Sequence, residues 1–248
     1  MVVSRSYVET RGNGPDVVML HGVPEDPGDL ARLAASMAGF RTHVVHAPGY
    51  GRSADVPADG LAIRPIAEAL RGRGVATAHW VGMSGGFYRA LALVKDAGFG
   101  ASSFVGIGPA IDFSPEKRAA MEGFAAALEQ GADVGDAALQ TLYSPSFLRD
   151  RPDVGARFLD LLAGVSTTVL PGELRAFAAA PNLGDWLCAS GVPTVLRVGA
   201  GDQAGLHDGF ERLAATPHVS LEWVPRAGHM LLDEDFDDTA ESVRRALA

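Results

Sequence analysis

Residues 77–97, TAHWVGMSGGFYRALALVKDA, constrain the fold more than any other stretch of the chain. The apolar pair Trp80-Val81 leads into Gly82-Met83-Ser84-Gly85-Gly86, and Phe87, Ala90, Leu91 and Val94 follow at helical spacing. This run predicts a strand, a sharp turn and a helix. A serine centred in G-x-S-x-G at such a junction sits in a strained turn that holds its hydroxyl clear of the sheet. Gly82 and Gly86 follow from sterics, because side chains two residues either side of Ser84 would make strand and helix collide. The first free N–H groups of the helix, with that of Gly85 foremost, point toward the place where a substrate oxygen would become negative. The bare pattern also serves as a plain Gly-Ser turn; the strand before it and the helix after it favour the elbow.

The rest of the chain supplies a sheet around this turn. Residues 2–10 mix β-branched and polar side chains as an exposed edge strand does, and Gly12 to Gly14 turn the chain. Asp16–Leu20, DVVML, is a continuous apolar run and predicts a buried parallel strand. It ends in His21-Gly22-Val23-Pro24, after which Asp26 caps a helix with Pro27 in its first turn and Leu30, Leu33, Ala34 and Met37 on one face. A strand at 42–46, the turn-rich loop His46-Ala47-Pro48-Gly49-Tyr50-Gly51-Arg52-Ser53 and a weaker helix at 64–71 return the chain to the elbow strand. Strand, helix, strand, helix, strand, helix implies a parallel sheet with right-handed crossovers.

A further strand at 102–106 is followed by a break in the alternation. From Pro115 to about Gly184 the patterns are helical, with Met121, Phe124, Ala125 and Leu128 on one face and Phe158, Leu161, Leu162 and Val165 on another. An all-helical insertion between two sheet strands is expected to form a lid over the site, the alternative being ordinary packing helices. The division expected is a core of residues 1–111 and 187–248 with a lid, or cap, of residues 112–186. The sheet resumes at 193–198, a helix is expected at 207–214, Val219–Val224 forms the last strand, and Phe236, Ala240, Val243 and Leu247 mark a C-terminal helix. The acidic run Asp233, Glu234, Asp235, Asp237, Asp238 lacks cation-loop spacing and is expected to be a solvated helix start.

A chain of 248 residues that is 47% hydrophobic buries a large core and fits one α/β domain with an insertion as well as two small domains; the single domain is favoured. The net charge of −9 opposes nucleic acid and anionic membranes as partners. The single cysteine, Cys188, has no metal-ligand neighbours and reads as a small apolar residue. The N-terminus lacks the long apolar region of a signal peptide, and no run approaches a membrane span, so a cytoplasmic protein is expected. No metal or cofactor is implied; the partner expected is a small-molecule substrate, and the oligomeric state is left open.

Loops that follow successive parallel strands gather at one sheet edge, which predicts that Val23, Ser84, Asp112, Asp202 and His229 approach one another. A serine hydroxyl needs a base, and His229, on the loop after the last strand, is placed to reach Ser84. The base needs an acid to fix its tautomer. Asp202, directly after a strand and behind Gly199 and Gly201, is preferred; Asp112 is the rival. The backbone N–H groups of Val23 and Gly85 are the expected oxyanion donors. His21 is read as a brace for its loop, and His43, His46, His79, His207 and His218 as packing or surface residues.

Together these residues resemble the α/β-hydrolase superfamily, with HGVP after one strand, HAPGYGRS after the next, GMSGG at the elbow, the glycine-flanked Asp202 and AGH at the end. The likeness covers nearly the whole chain, and the GxSGG elbow and PGYGxS loop resemble those of bacterial hydrolases and esterases. It implies an α/β-hydrolase fold, a mostly parallel central sheet flanked by helices and interrupted by a helical lid. It also implies eight strands, the first short or absent here, and a triad on Ser84, His229 and Asp202. One departure is His46, where many relatives carry Asp or Arg. Carboxylate-nucleophile members of the fold are set aside because the elbow holds Ser84. Lyases that use a lysine near the lid are set aside because Lys117 reads as a solvated helix face.

The expected function is a serine hydrolase that cleaves an ester or lactone of a small, mostly apolar molecule through an acyl-enzyme. The alternatives are a carbon–carbon bond hydrolase or lyase-like enzyme with the same triad, and a ligand-binding member of the fold without turnover. Phe113, Phe124, Tyr143, Phe147, Phe158, Phe177 and Trp186 are the aromatic residues available to line an apolar pocket.

Overall fold

The computed structural model describes residues 5–58, 60–165, 169–204 and 209–248. Seven strands form one sheet in the order β1-β3-β2-β4-β5-β6-β7. They are β1 (Tyr7–Arg11), β2 (Asp16–Leu20), β3 (Arg41–His46), β4 (Thr77–Met83), β5 (Gly100–Ile107), β6 (Thr194–Gly199) and β7 (Val219–Val224). Only β1 runs antiparallel, pairing Val8 with Val45; the other pairs are parallel. The central strand β4 places Trp80 opposite Val18 of β2 and Phe104 of β5, all three fully buried. The eighth strand of the resembled fold has no counterpart among the described residues.

The apolar runs make the sheet and the periodic segments cover it. Helix α1 (Pro27–Ala35) is capped by the Asp26 carboxylate, which accepts the Gly28 N–H at 2.8 Å, and it buries Leu30, Leu33 and Ala34. Helix α2 (Ile63–Arg71) buries Ile66, Ala67, Ala69 and Leu70, and α3 (Gly85–Ala97) is buried along most of its length. Because β3 lies on one side of β2 and β4 on the other, the chain reverses its direction of travel between β2 and β4. The carboxyl ends of those two strands therefore flank a crevice, where ligands bind in open α/β sheets.

Between β5 and β6 lie α4 (Pro115–Glu129), α5 (Gly135–Leu142), α6 (Pro145–Asp150), α7 (Pro152–Val165), α8 (Leu170–Ala179) and α9 (Gly184–Ser190). Serines cap α4 and α6, with Pro in each first turn. Helix α10 (Phe210–Ala214) is shorter than the helix expected from 207, and residues 205–208, with His207, lie outside the described residues. Helices α11 (Leu231–Glu234) and α12 (Phe236–Leu247) close the chain, with Ala240, Val243 and Leu247 buried. No single helix among the described residues is long and apolar enough to cross a membrane.

The acidic run near residue 235 is more than a solvated helix start. Asp233 accepts the Tyr143 hydroxyl and an Arg157 N–H, each at 2.8 Å. Glu234 accepts the N–H of Gly228 at 3.1 Å and that of Ser144 at 3.2 Å, and Asp235 pairs with buried Arg197 at 2.6 Å. The run carries charge at short range because it faces arginines and loose backbone donors that the fold brings in from elsewhere.

A second buried polar group ties the inserted helices to the sheet. Arg89 of α3 is fully buried and pairs with Glu173 of α8, which is 2% exposed. The Tyr50 hydroxyl donates to the other oxygen of Glu173 at 2.5 Å, and Arg89 also donates to the carbonyls of Leu61 and His21. Removing one partner strands a charge in the core. Glu173→Ala is therefore expected to lower unfolding free energy by about 3–5 kcal/mol, while Arg89→Met with Glu173→Leu recovers most of it. Urea denaturation of the wild type and both variants checks this.

Candidate active site

Ser84 links β4 to α3 at φ 50° and ψ −124°, a left-handed conformation that side chains rarely adopt. Its own backbone anchors it. The Ser84 N–H donates to the Ile107 carbonyl at 3.0 Å, and the Ser84 carbonyl accepts from Phe87 at 3.0 Å and Ala110 at 3.1 Å. The flanking glycines are needed for close approach: a Cβ on Gly86 would collide with the Leu20 carbonyl and stand 2.6 Å from that of His21. One on Gly82 would run into the backbone of Phe87.

The third glycine has a different reason. A Cβ on Gly85 would stand 2.7 Å from the ring of Phe177 on α8 and would meet no other neighbour closer. Phe177 occupies the space that a side chain after the serine would need. It packs against Tyr88 and Phe113, 5.8 and 6.1 Å away by ring centres, and the Arg89 guanidinium lies 5.3 Å from its centre. Gly85 opens α3, so its N–H has no acceptor within the helix.

His229 is buried, and its Nδ1–H donates to Asp202 Oδ2 at 2.8 Å. Asp202 Oδ1 in turn accepts the Ala204 N–H at 2.8 Å. Burial works against protonation of the imidazole, but the Asp202 carboxylate, with Glu25 and Glu234 behind it, outweighs burial and raises its pKa above the ordinary 6.5. Gly108 brings His229 and Ser84 together. A Cβ there would lie 3.1 Å from His229 Nδ1, and Ile107 and Ala110 around it hold the Ser84 backbone.

The turn after β2 forms the other wall. His21 Nε2 accepts the Ala47 N–H at 3.0 Å, which leaves Nδ1–H to donate to the Gly22 carbonyl at 2.9 Å. Burial drives the His21 pKa down to about 3, so the ring is neutral and braces one loop against the next. A Cβ on Gly22 would come 2.7 Å from that of Ser84, which sets the Val23 backbone beside the serine. Asp112 is committed elsewhere: it accepts the Gly184 N–H at 2.8 Å and pairs with Arg212 at 3.1 Å. The fold thus sets the Gly22–Val23 turn against Ser84 and Gly85 and pairs His229 with Asp202, while the Asp112 carboxylate is taken by Gly184 and Arg212.

A cavity of about 310 Å³ adjoins this edge, lined by Val23, Pro24 and Ala204 from the loops and mainly by apolar residues of α4, α5, α7 and α8. Of the seven aromatics considered above, only Phe113 and Phe124 line it. Tyr143 and Phe158 face a separate, more polar cavity, Phe147 lies in a surface cleft, and Trp186 packs on Phe104. Lys117 also departs from expectation: its side chain lines the apolar cavity and is not on a solvated face. At His46 the ring accepts the Arg52 N–H at 3.1 Å and packs edge-on against Tyr7, which closes that side. No group of three or more His, Cys, Asp or Glu among the described residues is arranged to hold a metal ion.

Sequence alone gives no role to Glu25, Tyr50, Arg89 or Glu173, and it takes Glu234, which caps Gly228 and Ser144, for part of a solvated helix start. Glu25 left one signal, an acid directly after the His21-Gly22-Val23-Pro24 turn; the others meet only through tertiary contact.

The model of the alpha/beta hydrolase family matches residues 17–242. A pimeloyl-acyl carrier protein methyl ester esterase of Chromobacterium violaceum is 31% identical over 196 residues, which cover 70% of this chain and 76% of that protein. Among solved structures, a thermophilic esterase from Thermogutta terrifontis superposes with a TM-score of 0.84 at 22% identity, over 98% of this chain and 94% of its own. The enol-lactonase from Burkholderia xenovorans gives 0.81 at 21% identity, over 98% and 96%. At those identities the two structures speak for the fold alone.

Gly85→Ala is expected to cost about 1–3 kcal/mol by forcing Phe177 aside. Phe177→Ala on the same background removes the clash, so the two changes are strongly non-additive in a denaturation cycle.

Proposed function

The chain belongs to the alpha/beta hydrolase family, and from that premise we propose that it is a serine hydrolase for an ester or lactone of a small, mostly apolar molecule. The observation that carries the reading is the buried Asp202–His229 hydrogen bond set beside the strained turn at Ser84. Ser84 Oγ attacks the substrate carbonyl while His229 takes the hydroxyl proton through its free ring nitrogen. The carbonyl oxygen gains negative charge and is held by the N–H groups of Val23 and Gly85. His229 then returns the proton to the leaving alcohol, and an acyl group remains on Ser84. Water, deprotonated by the same ring, frees the acid and restores the serine. Asp202 fixes the tautomer and stabilises the imidazolium.

Substrate class follows from the cavity. Its volume sits at the small end of ligand pockets, and its mainly apolar walls suit a short or medium hydrocarbon chain. The esterase name of the Chromobacterium violaceum relative favours a carboxylic ester over a lactone. Residues 112–186 act in this reading as a lid over residues 1–111 and 187–248, since α4, α5, α7 and α8 supply most of the cavity wall.

Ser84→Ala is expected to abolish fluorophosphonate labelling and to lower kcat for p-nitrophenyl esters by about 10⁴-fold or more, as is His229→Ala. Absence of label on the folded wild type overturns the reading. The pH dependence has a definite sign. The base must be neutral, and its pKa is raised, so kcat/KM falls with decreasing pH along a limb whose midpoint lies above 6.5. A pH–rate profile on one p-nitrophenyl ester checks the midpoint.

A further inference from the structure

Glu25 closes the turn that begins at His21, and it is buried with 4% exposure. Its Oε2 accepts the Gly22 N–H at 2.5 Å. A Cβ built on Gly22 would come 2.6 Å from the Glu25 carboxyl carbon and 2.7 Å from the Ser84 Cβ. The carboxyl and the serine therefore border the same small space. On its other side Glu25 lines a cavity of about 330 Å³ that also reaches Met230, the residue after His229.

Tying down the Gly22 N–H requires an acceptor and no charge. Burying a carboxylate is costly, and a glutamine would make the same hydrogen bond. The charge has another partner. Among the charged groups around Glu25, His229 acts on it most strongly, Asp29 of α1 opposes ionisation and Arg89 of α3 favours it. Asp26, Arg157 and Asp160 stand on the shared cavity wall with Tyr143, and Arg157 is already paired with Asp29 and Asp233. His229 in turn faces Asp202, Glu25 and Glu234.

We propose that Glu25 is a positioning residue of the site, whose hydrogen bond sets the Gly22–Val23 turn beside Ser84 and whose charge stabilises the protonated form of His229. The proposal rests on the hydrolase reading given above. It makes the imidazole answer to two carboxylates, Asp202 in direct contact and Glu25 through space. Burial lifts the Glu25 carboxyl to about 7, and the charges of Asp202 and Glu25 both favour the imidazolium form of His229.

Glu25→Gln separates the two roles, because it keeps the acceptor and removes the charge. In the substrate-free variant, NMR titration of His229, assigned with His229→Gln, is expected to give an imidazole pKa lower than wild type by about half a unit or more. The acid limb of kcat/KM moves to lower pH by the same amount, while the plateau rate changes by less than about threefold. Glu25→Ala lacks the acceptor and is expected to lose about tenfold or more at the plateau. An unchanged His229 titration in Glu25→Gln overturns the electrostatic role, and an unchanged plateau in Glu25→Ala overturns the positioning of the turn. If Glu25→Ala does not fold, a Glu25→Gln plateau within threefold of wild type, with a shifted titration, still supports the proposal, and a collapsed plateau overturns it. Failure of the hydrolase reading shows separately, as a wild type that takes no fluorophosphonate label; the NMR comparison then still decides the charge coupling.

Discussion

Ser84 occupies a left-handed backbone conformation that costs about 1–3 kcal/mol and persists only where its surroundings over-determine it. Here they do so on three sides. Ile107 and Ala110 hold the peptide groups of Ser84 from the β5 edge, Phe87 closes the first turn of α3, and Gly86 lets that helix pass against the β2 carbonyls. Relaxing the turn would mean moving the central strand of the sheet or helix α3, which is buried along most of its length. The strain is therefore borne by the whole core, and the serine side chain is aimed without any hydrogen bond of its own being needed to aim it.

The loops around this turn are fixed by polar contacts more than by apolar packing. His21 bridges the turn after β2 to the loop after β3 as a neutral ring, and Tyr50 of that loop reaches Glu173 on α8. Arg89, one turn along the elbow helix, joins the same carboxylate to the carbonyl of His21. Four segments distant in sequence thus meet on a single buried ion pair. A buried pair of this kind is weak evidence for stability, since an apolar replacement often does as well. Glu173 and Phe177 stand one turn apart on α8, so the helix meets Arg89 of α3 with one residue and Gly85 of the same helix with the other.

Much of this architecture is legible in the sequence because it is local. The apolar runs of β2 and β4, the capped start of α1 and Gly82, which must clear the backbone of Phe87, report on contacts within a few residues. The order of the loops follows from parallel topology, which is why Asp202 and His229 can be paired on paper across 27 residues. What is not legible depends on side chains that meet across the insertion. Lys117 looks solvated from its helix pattern, yet α4 packs so that its side chain faces the cavity. The acids near residue 235 look like one solvated cluster, yet Asp233, Glu234 and Asp235 each serve a different distant partner. Helical periodicity gives the face of a residue and says nothing of what that face will meet.

The glycine at position 85 ties the turn at Ser84 to the inserted helices. Nothing in the elbow itself requires glycine there, since the clash of an added Cβ is with Phe177 and not with the strand or helix. The absent side chain and the ring are one packing unit shared between the sheet core and α8. A change in the inserted helices at Phe177 therefore acts directly on the residue beside Ser84, with no long path between them. The chain as a whole, inserted helices included, superposes over 98% of its length on an esterase and an enol-lactonase that share barely a fifth of its sequence. A likeness of that kind speaks for the fold alone and does not constrain the cavity walls, where Phe113, Phe124 and Leu174 stand.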